Sequence, residues 1–108
     1  MQGNDIEWSD SEKDIAKAAF DKAYQREIDA LLNSVQERAA RIAQTEELWK
    51  LHDFLSAKRH ELDGKYDYRY TFLPFVFAQL VKEGWLKLDE LEGLDGSKRA
   101  KIAALARM

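Results

Sequence analysis

The chain has 108 residues with a net charge of −3, 45% hydrophobic side chains, 34% charged side chains and no cysteine. This length fits one domain, and the lack of cysteine excludes disulfides and thiolate metal sites. The sequence has no basic stripe of the kind that binds nucleic acid, which argues against a nucleic-acid partner. The longest apolar run, residues 72–78, is far shorter than the ~20 residues of a membrane span, so we expect a soluble, cytoplasmic protein with no integral membrane contact.

The first predicted element is a long helix. Residues 1–8 show no periodicity and are predicted to form a flexible tail, after which Ser9 and Glu12 make a capping-box pattern. Neither proline nor glycine occurs from Asp10 to about Ala43. Apolar residues recur there at steps of three or four: Phe20, Tyr24, Ile28, Leu31, Val35, Ala39 and Ile42. A helix of roughly 34 residues is about three times the average length, which is typical of a bundle or coiled coil.

The second predicted helix returns antiparallel to the first. Thr45, followed by two glutamates, predicts its start, and Gly64 predicts its end. One face of this helix is a leucine stripe, formed by Leu48, Leu51, Leu55 and Leu62. Turned from it by roughly 100° is the Trp49 face, formed by Trp49, Asp53, Ser56 and His60. His52 lies between the two faces, and Arg59 falls within the leucine stripe.

An aromatic connector is predicted to follow at residues 66–72. The segment alternates as a strand does, but no clear partner strand is present, and pairing with residues 85–88 is the minor alternative. Thr71 is predicted to cap a third helix that ends before Gly84. Asp89 to Gly93 is predicted to be a turn or short helix.

The last predicted helix spans Ser97 to Met108, with Ile102 and Leu105 facing inward. Its outward-facing residues are predicted to be Lys98, Arg99 and Lys101. On the third helix, Phe75 falls on the polar side. We favour a neighbouring segment covering Phe75 over a role in partner contact.

These elements predict an all-α single domain over residues 1–108. A long helical hairpin stem (about 26–55) joins a small helical head (about 10–25 and 56–108). Because two helices alone cannot bury both of their apolar stripes, we expect two stems to pair into a homodimer. The expected interface residues are Leu32, Val35 and Leu48.

The residues of the second helix do not support catalysis. Ser56, His60 and Asp53 are the residue types of a hydrolase triad, but no glycine-rich turn or oxyanion donor accompanies them. His52 and His60 lie about 12 Å apart along one helix, so a single chain cannot bring both to one metal ion; only a dimer could. We expect no enzyme activity, no metal and no cofactor. From the residues alone, Trp49 and Asp53 fit structural packing and partner recognition equally well.

A family resemblance favours the recognition interpretation. The run from Leu48 to Glu61, followed by residues 63–67, strongly resembles the cyanobacterial fluorescence recovery proteins. Further matches occur at residues 23–27, 75–80, 82–84 and 104–107. The resemblance covers nearly the whole chain from about residue 9, and it does not extend to residues 1–8, Pro74 and Trp85, which we do not map onto the family pattern.

The resemblance implies an all-helical dimer that binds the photoactivated red form of the orange carotenoid protein, mainly through that protein's C-terminal domain. It implies faster return to the orange form and release from the phycobilisome, which ends photoprotective quenching. The family's functional cluster falls here on Trp49, His52, Asp53 and Arg59, and the head offers Phe75 and Lys101 for a second contact. A peripheral position at the cytoplasmic side of thylakoids is compatible with this role. The alternative is a structural helical dimer or adaptor without a photoprotective role.

Overall fold

Four α-helices account for most of the residues that the structure describes. The computed structural model describes residues 7–108, and its helices are α1 (Asp10–Ala40), α2 (Thr45–Lys65), α3 (Leu73–Glu83) and α4 (Gly96–Ala106). A 3₁₀ turn, Leu88–Leu91, connects α3 to α4. The only β interaction within the described chain is an isolated bridge between Glu92 and Leu94. The prediction of an all-α fold is confirmed, and the pairing of residues 66–72 with 85–88 is not formed.

Hydrogen bonds in their first turns fix where α1 and α2 begin. As predicted, Ser9 and Glu12 form a capping box, with N–H to side-chain oxygen distances of 3.0 and 3.1 Å. The predicted start of α2 at Thr45 is confirmed, but capping by the Thr45 hydroxyl is wrong, since the N-cap is Gln44, whose N–H group donates to Glu47 at 3.1 Å. The predicted stop at Gly64 is also wrong, because this glycine lacks a positive φ and α2 continues to Lys65.

The third helix begins one residue later than predicted. Phe72, not Thr71, is its N-cap, and no side chain caps the helix. Gly84 adopts the left-handed conformation (φ 87°) and ends α3 as predicted, because glycine has no Cβ to clash there. The first and last helices are slightly shorter at their C-termini than predicted, ending at Ala40 and Ala106.

The chain before α1 is part of the head as far as the structure describes it. Residues 1–6 of the predicted tail lie outside the described residues. Trp8 is only 8% exposed, and its ring centroid lies 5.4 Å from that of Tyr70. The Glu7 carbonyl accepts a hydrogen bond from the Lys98 ammonium group at 2.7 Å. The expectation of a flexible tail is therefore wrong for residues 7 and 8.

Lys98 is buried (1% exposed), although we predicted that it would face outward. It lies one helical turn before Ile102 and so shares the inward face of α4. The charge is compensated by Glu12, whose carboxylate lies 3.1 Å from the ammonium nitrogen. Burial alone would raise the pKa of Glu12, but hydrogen bonds from the Ser9 and Asp95 N–H groups and from Lys98 hold it below its ordinary value.

The hydrophobic core lies entirely in the head. It combines one side of the first half of α1 with α3, the 3₁₀ turn and α4. Its buried members are Trp8, Ala16, Ala19, Ala23, Leu73, Val76, Phe77, Ala78, Leu80, Leu86, Leu91, Leu94 and Ile102. Arg26 holds the 3₁₀ turn against α1 by donating to both carboxylate oxygens of Glu90 at 2.8 Å.

Residues 28–61 form the open remainder of the hairpin. From here on these residues are called the stem, and the rest of the described chain is called the head. Burial on α1 ends at Glu27 and begins again on α2 at Leu62, and none of residues 28–61, all of which are described, is buried. The radius of gyration is 17.0 Å and the dimensions are 58 × 25 × 19 Å, whereas a compact chain of this length has a radius of about 13 Å. The molecule is therefore elongated along its stem.

Candidate functional site

The Trp49 face of α2 is directed to solvent. The side chain of Trp49 is 59% exposed, and those of His52 and Asp53 are more exposed still. A large aromatic side chain with this exposure does not contribute to the folding of a single chain. Its position on the first turns of a regular helix nevertheless fixes its direction relative to Asp53, one turn further along.

His52 joins Trp49 and Asp53 into one group. Its imidazole packs edge-to-face against the Trp49 indole, with centroids 6.2 Å apart and an interplanar angle of 84°. Nδ1 of His52 lies 3.4 Å from Oδ1 of Asp53. The structure thus brings three of the four predicted contact residues together on one surface, with an aromatic anchor and a carboxylate side by side.

Arg59 stands apart from this group. Its side chain is 86% exposed, and its nearest acidic partner is Asp63, with 3.9 Å between Nε and Oδ2. This is the i,i+4 ion pair that a purely structural interpretation predicts, but its length and exposure make its contribution to stability small. The guanidinium group therefore remains accessible to a partner.

The predicted interface residues of the stem lack cover in the single chain. Leu32 and Leu48 are exposed, and Val35 is only partly buried. Leu55 on α2 is also exposed. A row of uncovered leucines on a two-helix hairpin is the kind of apolar surface that a second protein surface covers.

A contact that the sequence did not reveal holds the two stem helices together. The guanidinium group of Arg38 on α1 stacks 3.8 Å from the ring centroid of Phe54 on α2. The sequence pattern gives no sign of this pair, because a cation and an aromatic ring on different helices leave no local spacing signal. The contact positions the helix that carries the Trp49 face.

A partly buried ionic group, which the sequence analysis did not predict, links α1, α2 and α3 where the head meets the stem. The ammonium group of Lys65 donates to Glu27 on α1 at 2.8 Å and to Glu83 on α3 at 2.6 Å. The Tyr66 hydroxyl donates to the other oxygen of Glu27 at 2.8 Å. Lys65 and Tyr66 follow Leu62 by three and four residues, so helical spacing places them on the same inward face as Leu62. This spacing was the signal in the sequence that could have identified the group.

The pKa directions of this group agree with its hydrogen bonds. Burial opposes the charged form of Lys65, but hydrogen bonds to Glu27 and Glu83 outweigh it and raise the Lys65 pKa. In Glu83, burial is likewise outweighed by hydrogen bonds from Lys65 and Gln79, and its pKa is lowered. Burial and the bond to Glu27 together raise the pKa of Tyr66. Lys65 and Glu83 are thus charged at neutral pH, and their ion pair links the end of α2 to α3.

On the head, Phe75 is not covered by a neighbouring segment, contrary to what we favoured. It is 51% exposed, and the Lys101 ammonium group lies 5.2 Å from its ring centroid. Phe72 is exposed beside it, with the Arg69 guanidinium 4.2 Å from that ring. The two candidates for a second contact are therefore adjacent, at the centre of an aromatic and basic patch.

Two further findings on the described residues concern metal binding and membrane crossing. Among residues 7–108, no group of histidine, aspartate or glutamate side chains is arranged to hold a metal ion. None of the described helices has the length and apolar composition required to cross a membrane. The exposed groups of α2 and of the head patch are suited to binding another macromolecule.

Comparison with known proteins agrees with the sequence resemblance. The sequence profile of the family described as "Photoprotection regulator fluorescence recovery protein" matches residues 8–106. The "Fluorescence recovery protein" of Synechocystis sp. (strain ATCC 27184 / PCC 6803 / Kazusa) is 56% identical over 108 residues, which is 100% of this chain and 99% of that protein.

Solved structures show the same fold. The Fremyella diplosiphon fluorescence recovery protein superposes with a TM-score of 0.91 at 60% identity, covering 94% of this chain and 100% of that chain. The fluorescence recovery protein from Synechocystis sp PCC 6803 gives the same TM-score and coverage at 58% identity. The chain therefore belongs to the fluorescence recovery protein family, whose members are regulators of photoprotection.

Proposed function

We propose that this protein binds the photoactivated red form of the orange carotenoid protein and accelerates its return to the orange form. The orange carotenoid protein is then released from the phycobilisome, and photoprotective quenching ends. The observation that carries the proposal is the solvent-directed group of Trp49, His52 and Asp53 on α2. The family supplies the photoprotective context, and the exposed indole supplies a surface that folding of the chain alone leaves unused.

The proposed mechanism is a shift of a conformational equilibrium. A binding protein changes the balance between red and orange forms only by its difference in affinity for states along the route. Trp49 provides an anchor that becomes desolvated on binding, and Asp53 provides a directional hydrogen-bond acceptor. The matching surface lies on the C-terminal domain of the carotenoid protein and is accessible once its two domains have separated.

We further propose that two stems pair to form a homodimer through Leu32, Val35 and Leu48. The support is the absence of buried residues throughout residues 28–61, together with the exposure of Leu32 (53%) and Leu48 (47%). Burial of an exposed leucine side chain contributes about 1.5–3 kcal/mol. Pairing therefore supplies the apolar burial that one hairpin cannot provide.

The head patch provides a second contact in this proposal. The Lys101 ammonium group lies 5.2 Å from the Phe75 ring centroid. The head patch therefore carries basic side chains, whereas the Trp49 face carries the carboxylate of Asp53. The two surfaces thus differ in charge, and a partner with two domains would engage them with different regions. The proposed location is the cytoplasm, including the cytoplasmic side of thylakoids.

The alternative is a structural helical dimer or adaptor in which the Trp49 face only packs. The deciding experiment is a pull-down of light-adapted and of dark-adapted orange carotenoid protein, followed by measurement of the mass of the complex. We expect capture of the light-adapted form at lower protein concentration. Equal capture of both forms, or of neither, would refute the proposed recognition.

A further inference from the structure

A cleft opens where the stem meets the head, between α1 and the end of α2. Its volume is about 500 Å³, and it is lined by Phe20, Asp21, Tyr24, Leu62, Asp63 and Tyr66. Leu62 is buried, Phe20 and Tyr66 are partly buried, and Tyr24 is exposed. The cleft thus has an aromatic interior that is open to solvent and carboxylates contributed by both helices.

Three aromatic rings form this interior. The planes of Phe20 and Tyr24 stand at 90° and 88° to that of Tyr66, with centroids 5.4 and 5.0 Å away. The Tyr66 ring is held in place because its hydroxyl group donates to Glu27 at 2.8 Å. Proteins bind cations on the electron-rich faces of aromatic rings, and the Tyr66 ring already has the Lys65 ammonium group 5.5 Å from its centroid.

The two carboxylates retain hydrogen-bonding capacity. Oδ1 of Asp21 accepts from Lys17 at 3.0 Å, and Oδ2 of Asp63 lies 3.9 Å from Nε of Arg59. Both ion pairs are exposed and connect residues four positions apart on one helix, so they exchange readily with other partners. The other oxygen of each carboxylate has no partner within the described residues.

We propose that this cleft binds an arginine side chain presented by a protein partner. A guanidinium group stacks on aromatic faces and donates several hydrogen bonds in one plane, which matches three rings flanked by two carboxylates. A lysine ammonium group stacks less well, and a quaternary ammonium group has no N–H to donate to Asp21 or Asp63.

The position of the cleft indicates which partner presents the arginine. Asp63 lies three residues beyond His60 and therefore continues the Trp49 face of α2. It is about 21 Å from Trp49 along the helix axis, within the span of one protein–protein interface. The arginine thus comes from the protein that engages Trp49 and Asp53; this assignment of the partner rests on the proposed function.

The cleft itself is tested without the partner. N-acetyl-arginine methylamide is titrated into the protein while the ring signals of Tyr24 and Tyr66 are followed by NMR. We expect a saturable change in the millimolar range that is absent with N-acetyl-citrulline methylamide, whose side chain has the same shape without the charge. Asp21→Asn combined with Asp63→Asn should weaken the binding. Equal responses to both compounds, or no response, would overturn the proposal.

The role in partner binding is tested with Asp21→Asn and Asp63→Asn singly against photoactivated orange carotenoid protein. Each should weaken binding several-fold, and Asp29→Asn, which removes an exposed acid further along α1, should not. Asp21→Asn leaves the pair of Arg59 with Asp63 intact, so a loss in both variants assigns the effect to the cleft.

The outcomes separate the two proposals. Parental binding by Asp21→Asn and Asp63→Asn, with loss in Asp53→Leu, would overturn the role of the cleft and leave the proposed function standing. Full activity of Trp49→Ala and Asp53→Leu would refute only the recognition role of the Trp49 face, whereas failure of the parental protein to bind the photoactivated form would refute the proposed function. In either case the arginine titration would still decide whether the cleft binds a cation.

Discussion

The head and the stem are built from the same two long helices but use them differently. In the head, α1 presents alanines at positions 16, 19 and 23 to the core, and these small side chains allow close approach of the neighbouring segments. In the stem, the same helix presents Leu32, which is exposed, and Val35, which is only partly buried. One end of α1 is thus packed within the chain, and the other is an open surface.

This difference shows where partners are expected to bind. The head buries a hydrophobic core of its own, although Phe72 and Phe75 are exposed on its surface. The leucines and Trp49 on the two stem helices are exposed. An apolar surface of this kind is expected to be covered by another protein. The buried group of Lys65, Glu27 and Glu83 marks the boundary between the two regions.

The largest expected effect on folding comes from the head. Phe77→Ala removes a fully buried ring from α3 and should reduce the free energy of unfolding by about 3–5 kcal/mol. Phe75→Ala, two residues earlier on the same helix, should change it by about 0.5 kcal/mol or less because that ring is exposed. Urea unfolding of both variants measures the contrast. Similar losses would mean that Phe75 is covered in solution.

A large effect on assembly, without loss of the helices, is expected in the stem. Leu32→Glu places a charge in the proposed stem interface, at an expected cost of several kcal/mol of association free energy. The variant should sediment as a monomer and keep its helical circular dichroism, since Leu32 is exposed in the single chain. Leu32→Met is the matched control and should remain dimeric. A fully dimeric Leu32→Glu would exclude pairing at this position.

The contrast between the regions also explains what the sequence could predict of the fold. The long first helix without proline or glycine, the capping box at Ser9, and the glycine stop at Gly84 are local signals, and all three predictions are confirmed. Burial of Trp8 and Lys98 depends instead on contacts between residues roughly 60 to 90 positions apart. Such contacts leave no periodic pattern in a segment as short as residues 7–9.

A smaller effect should appear as a pH dependence of the head. A hydrogen bond from Arg26, followed by one from the Lys87 N–H group, lowers the pKa of Glu90 from 4.5 to about 2. Because the folded carboxylate is more acidic than the unfolded one, its stabilisation is complete above pH 4.5 and disappears as the pH falls to about 2.

Glu90→Gln should therefore lower the melting temperature at pH 7 and reduce its further decrease between pH 5 and about pH 3. Glu92→Gln, which changes an exposed carboxylate just after the same 3₁₀ turn, is the control and should follow the parental profile. Thermal melting across this pH range measures both. If Glu90→Gln kept the parental pH profile, the ion pair between Arg26 and Glu90 would not stabilise the head.

The candidate site was predictable only in part. The spacing of Trp49 and Asp53 placed them on one face, and the structure brings them together with His52. The aromatic cleft combines Tyr24 from α1 with Asp63 and Tyr66 from the end of α2 and the connector that follows. Its assembly depends on how the two helices cross, which single-helix periodicity does not determine. The same holds for the stacking of Arg38 on Phe54.

The smallest effect on folding, and the largest on activity, is expected from Trp49→Ala and Asp53→Leu. Both side chains are exposed, so each variant should remain a helical dimer whose free energy of unfolding changes by about 0.5 kcal/mol or less. If the Trp49 face recognises the carotenoid protein, each should severely slow recovery of its orange form in darkness. Glu61→Leu, an exposed acid elsewhere on α2, should not.

The double variant of Trp49 and Asp53 makes this comparison sharper. Residues one helical turn apart contact the same patch of a partner, so their effects on recovery should be coupled and the double variant should lose less than the two single losses together. Recovery, dimer mass and melting temperature are measured on the same samples. Loss of activity only in samples that also lose the dimer or the fold would make both residues structural, and the stem would then be an assembly surface without a recognition face.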